Sequence, residues 1–519
     1  MIRVKNPGVL LVALMVVNAT ATKAQAQEKE SKPADKVAEA TAAPPKEESS
    51  TTDHTIKIGG QTIPYKATAA TILIKNDKDE PTALIYYTAY TRSDVKDMSQ
   101  RPVSFLYNGG PGSASVWLHM GSMGPRRVVT VNADVTPPAP YKLIDNPDCL
   151  LDRSDLVFID PVGTGFSRAV GKAQDKDFWG VDPDVKSLAQ FVTTYVSRNN
   201  RWNSPKFLIG ESYGTFRNAA LANYLQGHDN MYLNGIVMVS TVLDLGTISF
   251  YPGQDLAYVL YLPSYAATAW FHKTLKDRPE NLKTFLEEAR KFARGEYADA
   301  LMKGDALSKA EKAEIVGKVA RFTGLSEDYL DKANLRVRLF QFMQELQRNR
   351  GLTTGRLDAR FAGPTYNLIG EAADYDPQDT AISGAFVGAF NTYIREELKF
   401  GQDKTYKPAA EFDGNRWDWK HEGNDFGFFP GSPSVVLDLV QAMISNPRLK
   451  VEVEDGIYDL ATPFMEAEYT VDHMGLPENV RKNIWHQYYE AGHMMYLHDE
   501  DLAKLKKNVA SFVDIASKP

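Results

Sequence analysis

Short apolar and β-branched runs recur along the chain, and the first group reads as antiparallel strands. Turn residues separate these runs, at Gly59-Gly60 and Asn76–Asp79, as in hairpins. The runs are Ile56–Ile58, Thr62–Tyr65, Ala69–Ile74 and Ala83–Tyr90. This pattern predicts an antiparallel edge of a larger sheet.

A second group of runs is continuously apolar and alternates with helical stretches such as residues 184–198. Its members are Pro102–Tyr107, Asp155–Ile159, Lys206–Ile209, Gly235–Val239 and Leu449–Val453. Strands that are apolar throughout are buried on both faces, as in parallel sheets covered by helices. The chain is therefore predicted to be an α/β protein with a mostly parallel central sheet.

Between residues 247 and 424 the strand pattern fades and helical periodicity dominates, as in Leu282–Arg290. Ser308 and Glu311 have the spacing of a capping box that opens a helix. We expect a mainly helical cap inserted at 247–424, which divides the core into 54–246 and 425–519. A lid over the carboxyl edge of the sheet would shape a pocket and exclude water.

The N-terminus has the pattern of an export signal. Arg3 and Lys5 precede a short apolar stretch at 8–17, and Ala24-Gln-Ala26 fits a cleavage site. Residues 1–26 are predicted to be a signal peptide, and the polar residues 27–53 a disordered leader. We expect an exported protein, periplasmic or secreted, without a stable membrane anchor.

Composition narrows the function classes. The chain has 519 residues and a net charge of −7, which argues against nucleic-acid binding. Its nine histidines show no metal-binding spacing, and Cys149 is the one cysteine, so no intramolecular disulfide can form. Cys149 is expected to be a small buried residue.

The first candidate catalytic motif is Gly210-Glu211-Ser212-Tyr213-Gly214, which follows a predicted strand and precedes a predicted helix. This is the pattern of a nucleophile elbow, in which glycines permit a sharp turn and the serine stands at its apex. The helix directs free N–H groups at that point. Ser212 is therefore a candidate nucleophile for acyl transfer.

A serine nucleophile needs a base, and the base needs an orienting acid. In proteins with a nucleophile elbow, the acid follows the serine along the chain and the histidine follows the acid. Asp459 comes just after the strand 449–453, and His493 follows Gly492 in an apolar run. Other residues in the same stretches compete with them, namely Glu454, Asp455, His486 and His498.

A glycine loop, Asn108-Gly-Gly-Pro-Gly112, ends an early strand. Its successive N–H groups can bind an oxyanion, together with the N–H of Tyr213 after the nucleophile. A phosphate-binding loop is the alternative, but no Gly-Lys-Ser/Thr follows it.

These motifs together resemble those of the serine carboxypeptidase family, peptidase family S10. They are Asn108–Gly112, Asp160–Ser167, Gly210–Gly214, Gly456–Asp459 and Gly492–Met494. The resemblance implies an α/β-hydrolase fold with a helical cap and a triad of Ser212, Asp459 and His493. It also implies an oxyanion hole of Gly110 and Tyr213, peptide substrates, and no metal or organic cofactor.

Family members bind the free α-carboxylate of the substrate. The resemblance assigns this role to Asn108, Gly109 and Glu211, and Tyr213 and Met494 are expected to line subsites. The acidic neighbour that the family places beside this glutamate is replaced by Ser122. Arg126 and Arg127 follow, and they either face solvent or contact an anion.

The favoured interpretation is a serine carboxypeptidase. An esterase, amidase or acyltransferase with the same triad is the first alternative, which the serine at position 122 favours. A binding protein that retained only the fold is the second, although the complete set of motifs argues against it. The sequence leaves the oligomeric state open.

Overall fold

The structure, a computed structural model, describes residues 45–412, 416–422, 425–426, 429–430 and 432–518. Its centre is a mixed sheet of ten strands. In chain order they are β1 Ser49–Ile58, β2 Gln61–Lys75, β3 Pro81–Arg92, β4 Val103–Tyr107, β5 Asp155–Ile159, β6 Arg168–Ala169, β7 Lys206–Glu211, β8 Gly235–Val239, β9 Lys450–Gly456 and β10 Ile484–Tyr489.

Across the sheet the order is β1-β2-β3-β5-β4-β7-β8-β9-β10, and β6 pairs with β3. From β5 to β10 in this order each strand is parallel to the next. β1, β2 and β3 form an antiparallel edge, and β3 is also antiparallel to β5. The predicted α/β class with an antiparallel edge is confirmed. The parallel strands end at one edge of the sheet, where the candidate residues follow β4, β7, β9 and β10.

Helices cover the sheet and fill the insertion. The described α-helices of four or more residues are α1 Val181–Arg198, α2 Tyr213–Gly227, α3 Leu256–Phe271, α4 Leu282–Phe292, α5 Ala298–Lys303, α6 Lys309–Thr323, α7 Glu327–Lys332, α8 Leu339–Glu345, α9 Pro377–Glu396, α10 Val436–Ser445, α11 Phe464–Asp472, α12 Glu478–Arg481 and α13 Asp499–Ala516. Among the described helices, none combines the length and hydropathy that a bilayer crossing requires.

Alternate residues of the central strands enter different hydrophobic clusters. Leu156 and Phe158 belong to one cluster, and Val157 and Ile159 belong to the other. Because successive strand residues point to opposite faces, both faces of the sheet are buried. This accounts for the continuous apolar runs in the sequence.

A third cluster forms the interior of the helical region, and it also includes Tyr458 and Leu460 beside Asp459. The predicted capping box is present, because Ser308 Oγ accepts from the N–H of Glu311 at 3.2 Å and Glu311 accepts from the N–H of Ser308 at 2.9 Å. The region also contains a two-stranded ribbon of Leu352–Thr354 with Ala362–Pro364.

Two sequence expectations differ from the structure. β1 begins at Ser49, whose partner in β2 is Ala70, so the leader boundary at residue 53 is wrong because strand pairing has already started. The signal peptide and residues 27–44 lie outside the described residues. β10 was not predicted, because most of its residues are only half-buried at the sheet edge.

Candidate active site

Ser212 lies at the turn between β7 and α2, with φ 60° and ψ −129°. A positive φ at a residue other than glycine is strained by about 1–3 kcal/mol. The surroundings hold it, since the Ser212 N–H donates to the Val239 carbonyl at 2.9 Å. A Cβ on Gly210 would lie 2.2 Å from the Gly214 carbonyl oxygen. The glycine at 210 is therefore a steric requirement of the elbow.

The predicted acid and base are hydrogen bonded to each other. His493 Nδ1–H donates to Asp459 Oδ2 at 2.7 Å, and both side chains are buried. The other Asp459 oxygen accepts from the N–H groups of Ala461 and Thr462 at 2.7 and 3.0 Å, while Thr462 Oγ1 donates to Oδ2 at 2.8 Å. These bonds fix the carboxylate, which in turn orients the imidazole ring.

Burial works against a charge on His493, but the charge of Asp459 and their hydrogen bond outweigh it and raise the pKa of His493 above its usual value. With Nδ1–H bonded to Asp459, Nε2 is left to accept a proton. Ser212 and His493 both line one cavity of about 400 Å³. The arrangement is thus suited to general-base activation of a hydroxyl.

The competing candidates have other partners. His498 Nδ1 is bonded to Asp501 at 2.8 Å, and His486 lies within β10. Glu454 accepts from the hydroxyl of Tyr489. Asp455 accepts from the N–H of Thr241 at 3.0 Å.

The glycine loop lies directly against the start of α2. A Cβ on Gly109 would lie 2.4 Å from the backbone nitrogen of Tyr213, so only glycine permits this approach. Gly110 has φ 105°, a conformation that also favours glycine. The loop and the Tyr213 N–H are consequently neighbours, as an oxyanion hole requires. The Tyr213 ring stacks on Phe216, and its expected subsite role stays a prediction.

Arg217, a residue that sequence reasoning missed, stabilises the glycine loop. Its guanidinium is fully buried and donates to the Asn108 carbonyl at 2.8 Å and to Asp184 Oδ2 at 2.6 Å. It also lies over the rings of Tyr107 and Tyr213, at 5.0 and 5.2 Å from their centres. The signal in the sequence that could have identified Arg217 is a charged residue on an otherwise apolar helix face.

Glu211 is buried in the wall of the same cavity, and Tyr496 Oη donates to its Oε2 at 2.7 Å. Burial raises the pKa of Glu211 to about 7, although His493 and the bond from Tyr496 act in the opposite direction. Ser122 makes no such contact, because its hydroxyl donates to the Leu118 carbonyl at 2.7 Å. The polar partner of Glu211 is thus a tyrosine, which sequence reasoning missed.

Asn108, Gly109 and Met494 line this cavity with Glu211. Asn108 Oδ1 accepts from the N–H of Leu118 at 2.9 Å, and its NH₂ group is a donor that interacts with Glu211 and Tyr496.

Arg126 and Arg127 form ion pairs with Glu397 and Asp499, at 2.9 and 2.8 Å. They are therefore engaged in structural ion pairs.

The comparison with known proteins agrees with this geometry. The family model for serine carboxypeptidase matches residues 60–338, a little over half of the chain. The chain belongs to the serine carboxypeptidase family. The matched residues include the glycine loop and Ser212, whereas Asp459 and His493 lie beyond them.

Similarity extends to a protein of Saccharomyces cerevisiae, the pheromone-processing carboxypeptidase KEX1. It is 29% identical over 161 residues, which are 30% of this chain and 21% of KEX1. The match thus spans about a fifth of that relative.

The fold is also similar to the crystal structure of KEX1(delta)p, a prohormone-processing carboxypeptidase from the same yeast. The match covers 87% of this chain and 91% of the KEX1(delta)p chain, with a TM-score of 0.55 and 17% identity. The two chains therefore share a fold.

Proposed function

We propose that the protein is a serine-type carboxypeptidase that removes C-terminal residues from peptides. The observation that carries the proposal is the cavity that joins Ser212, the Asp459–His493 pair and the buried Glu211. Family membership supports the same reaction class.

In this reaction Ser212 Oγ attacks the carbonyl carbon of the last peptide bond, and His493 Nε2 takes the hydroxyl proton. The N–H groups of Gly110 and Tyr213 stabilise the oxyanion. His493 then protonates the leaving amine as the C–N bond breaks, which leaves an acyl-enzyme. Water, activated by His493, attacks the ester, and the peptide acid leaves as the proton returns to Ser212.

The cavity wall supplies groups that suit a terminal carboxylate. The NH₂ group of Asn108 and the backbone at Gly109 are donors, and protonated Glu211 is a third. In its neutral form Glu211 donates a hydrogen bond, whereas in its ionised form it repels a carboxylate. Met494 adds an apolar contact for the substrate.

Matched blocked dipeptides with free or amidated C-termini test the proposal. We expect the free acids to have a much higher kcat/KM, because only they complete the contacts to Asn108 and Glu211. Equal turnover of acids and amides would contradict carboxylate recognition.

Ser212→Ala tests the nucleophile. It should reduce kcat by several orders of magnitude and abolish labelling by a fluorophosphonate. Wild-type protein that resists the label would instead favour a binding protein.

One observation favours a second reaction on the same residues. Tyr496 rather than an acid is hydrogen bonded to Glu211 and favours its ionised form, so burial and the charge of Asp459 alone favour the protonated form. Ionised Glu211 would weaken carboxylate binding and suit ester or amide substrates. A higher kcat/KM for esters without a free carboxylate than for peptide acids would establish this alternative.

We also propose that residues 1–26 direct export to the periplasm or medium, and that 247–424 act as a cap over the site. Mass spectrometry of the protein from the exported fraction should give a mature N-terminus near Gln27. Recovery of the chain only in the cytoplasm, with Met1 retained, would contradict export.

A further inference from the structure

Arg356 is a cation in the same cavity, and the triad reaction above does not use it. It lines the cavity with Ser212, His493 and Glu211, and its side chain is half-buried. Within the described part of the chain, its guanidinium has no hydrogen-bonded or ion-paired partner. Asp379 also lines the cavity, but its carboxylate accepts from Ser383 Oγ at 2.9 Å.

The backbone beneath this side chain is fixed to the triad. The Arg356 carbonyl accepts from the N–H of Leu460 at 3.0 Å, and the Leu357 carbonyl accepts from the N–H of His493 at 2.6 Å. The Asp376 carboxylate accepts from the N–H groups of Arg356 and Leu357 at 3.1 and 3.0 Å. The guanidinium therefore extends from a segment whose position is set by the loops of both the acid and the base.

An arginine held in this way is suited to bind an anion from the substrate. Its planar guanidinium matches a carboxylate with two parallel hydrogen bonds and is charged at every physiological pH. A peptide with a free C-terminus brings one carboxylate into the cavity whatever its sequence. Glu211, which also lines the cavity, loses its ability to donate a hydrogen bond when it ionises. A permanently charged guanidinium can bind the carboxylate at a pH where Glu211 cannot.

We propose that Arg356 binds the α-carboxylate of the C-terminal residue of the substrate, beside Asn108 and Glu211. This inference rests on the proposed carboxypeptidase function. It makes Arg356 a specificity-determining residue, which distinguishes peptide acids from amides and esters.

Arg356→Met and Arg356→Lys test this with four blocked dipeptides, which carry Phe or Glu at the C-terminus as acid or amide. We expect Arg356→Met to lower kcat/KM for both acids by about 10- to 100-fold, the loss of a charge-assisted pair. The amides should change less than about threefold. Arg356→Lys should lose less, because it keeps the charge without the planar fork.

Arg294→Met is the matched control. Arg294 is 52% exposed and pairs with Glu468, which keeps its bonds to Arg290. This variant should resemble the wild type with all four substrates.

The rate of fluorophosphonate labelling reports whether Ser212 and His493 remain assembled in each variant, so that a folding defect is recognised.

Four outcomes would overturn the assignment. Equal losses of kcat/KM for acids and amides would show that Arg356 has a structural role. Losses confined to the two Glu substrates would show that it binds the side chain of the substrate's last residue. An undiminished preference of Arg356→Met for acids would remove Arg356 from recognition while the proposed function stands. If the wild type shows no preference for acids, the proposed function and this inference fail together.

Discussion

At the scale of single residues, Glu211 is the cavity group whose charge we propose controls binding of a substrate carboxylate. It is buried next to His493 and Tyr496, with Asn108 and Asp459 also acting on it. Burial favours its neutral form, and the hydroxyl of Tyr496 favours its ionised form. Because these effects leave its pKa at about 7, the residue changes charge near neutral pH.

The KM for free-acid substrates should rise as the pH increases through about 7. Below this pH Glu211 is protonated and donates to the carboxylate, and above it the ionised group repels the substrate. The rise should approach about tenfold per pH unit when only the protonated form binds. Steady-state kinetics from pH 5 to 9 measure it, with amidated substrates and Glu211→Gln as controls whose KM stays flat. Parallel rises for acids and amides would contradict the role of Glu211.

Tyr496→Phe should move this KM rise to higher pH. The substitution removes the hydrogen bond that stabilises ionised Glu211, so the pKa of Glu211 increases further. Tyr489→Phe is a matched control, because it also removes a hydroxyl bonded to a buried glutamate, Glu454, but outside the cavity. A KM profile in Tyr496→Phe that matches the wild type would show that the bond does not tune Glu211.

At the scale of elements, the buried pair of Arg217 and Asp184 joins α2, α1 and the glycine loop. Arg217 is on the helix that begins at the nucleophile, Asp184 is on α1, and the Asn108 carbonyl belongs to the loop. One side chain therefore sets the distance between the two halves of the predicted oxyanion hole. In the sequence, Arg217 is marked only by its place on an otherwise apolar helix face, and the packing shows which groups it joins.

Arg217→Met should lower the free energy of unfolding by about 3–5 kcal/mol, because Asp184 is left buried without its partner. Denaturant titration followed by tryptophan fluorescence measures the loss. Adding Asp184→Leu should restore part of the stability, since the uncompensated charge is then removed. Wild-type stability in the Arg217→Met single variant would contradict the argument.

At the scale of the whole molecule, Pro45–Pro519 form one compact unit. The cluster inside the helical region extends to Tyr458 and Leu460, which flank Asp459. The helical region and the carboxyl edge of the sheet thus share buried residues. We expect both to unfold in one transition.

Phe342→Ala tests this coupling. Phe342 is fully buried and stacks on Tyr265 with ring centres 3.9 Å apart, so its truncation should cost about 3–5 kcal/mol. Calorimetry should show a single transition at a lower temperature. Phe340→Ala, on the same helix but 49% exposed, should change the transition little. A separate early transition in Phe342→Ala would indicate that the helical region unfolds independently.

The sequence by itself determined the features that depend on neighbours in the chain. The glycines around Ser212 are required by a turn of a few residues, and the apolar runs follow from strands buried on both faces. The capping box at Ser308 is local in the same sense. These patterns were sufficient for the fold class and for naming Ser212 as the candidate nucleophile.

Only the tertiary structure decided which distant groups meet at the site. Tyr496 and Glu211 are 285 positions apart, and Arg356 reaches the cavity from the helical region. Their contacts depend on the order of strands in the sheet and on how the insertion packs against its edge. No periodicity in the chain encodes such a contact, because it arises from the balance of burial, charge and hydrogen bonding across the assembled cavity.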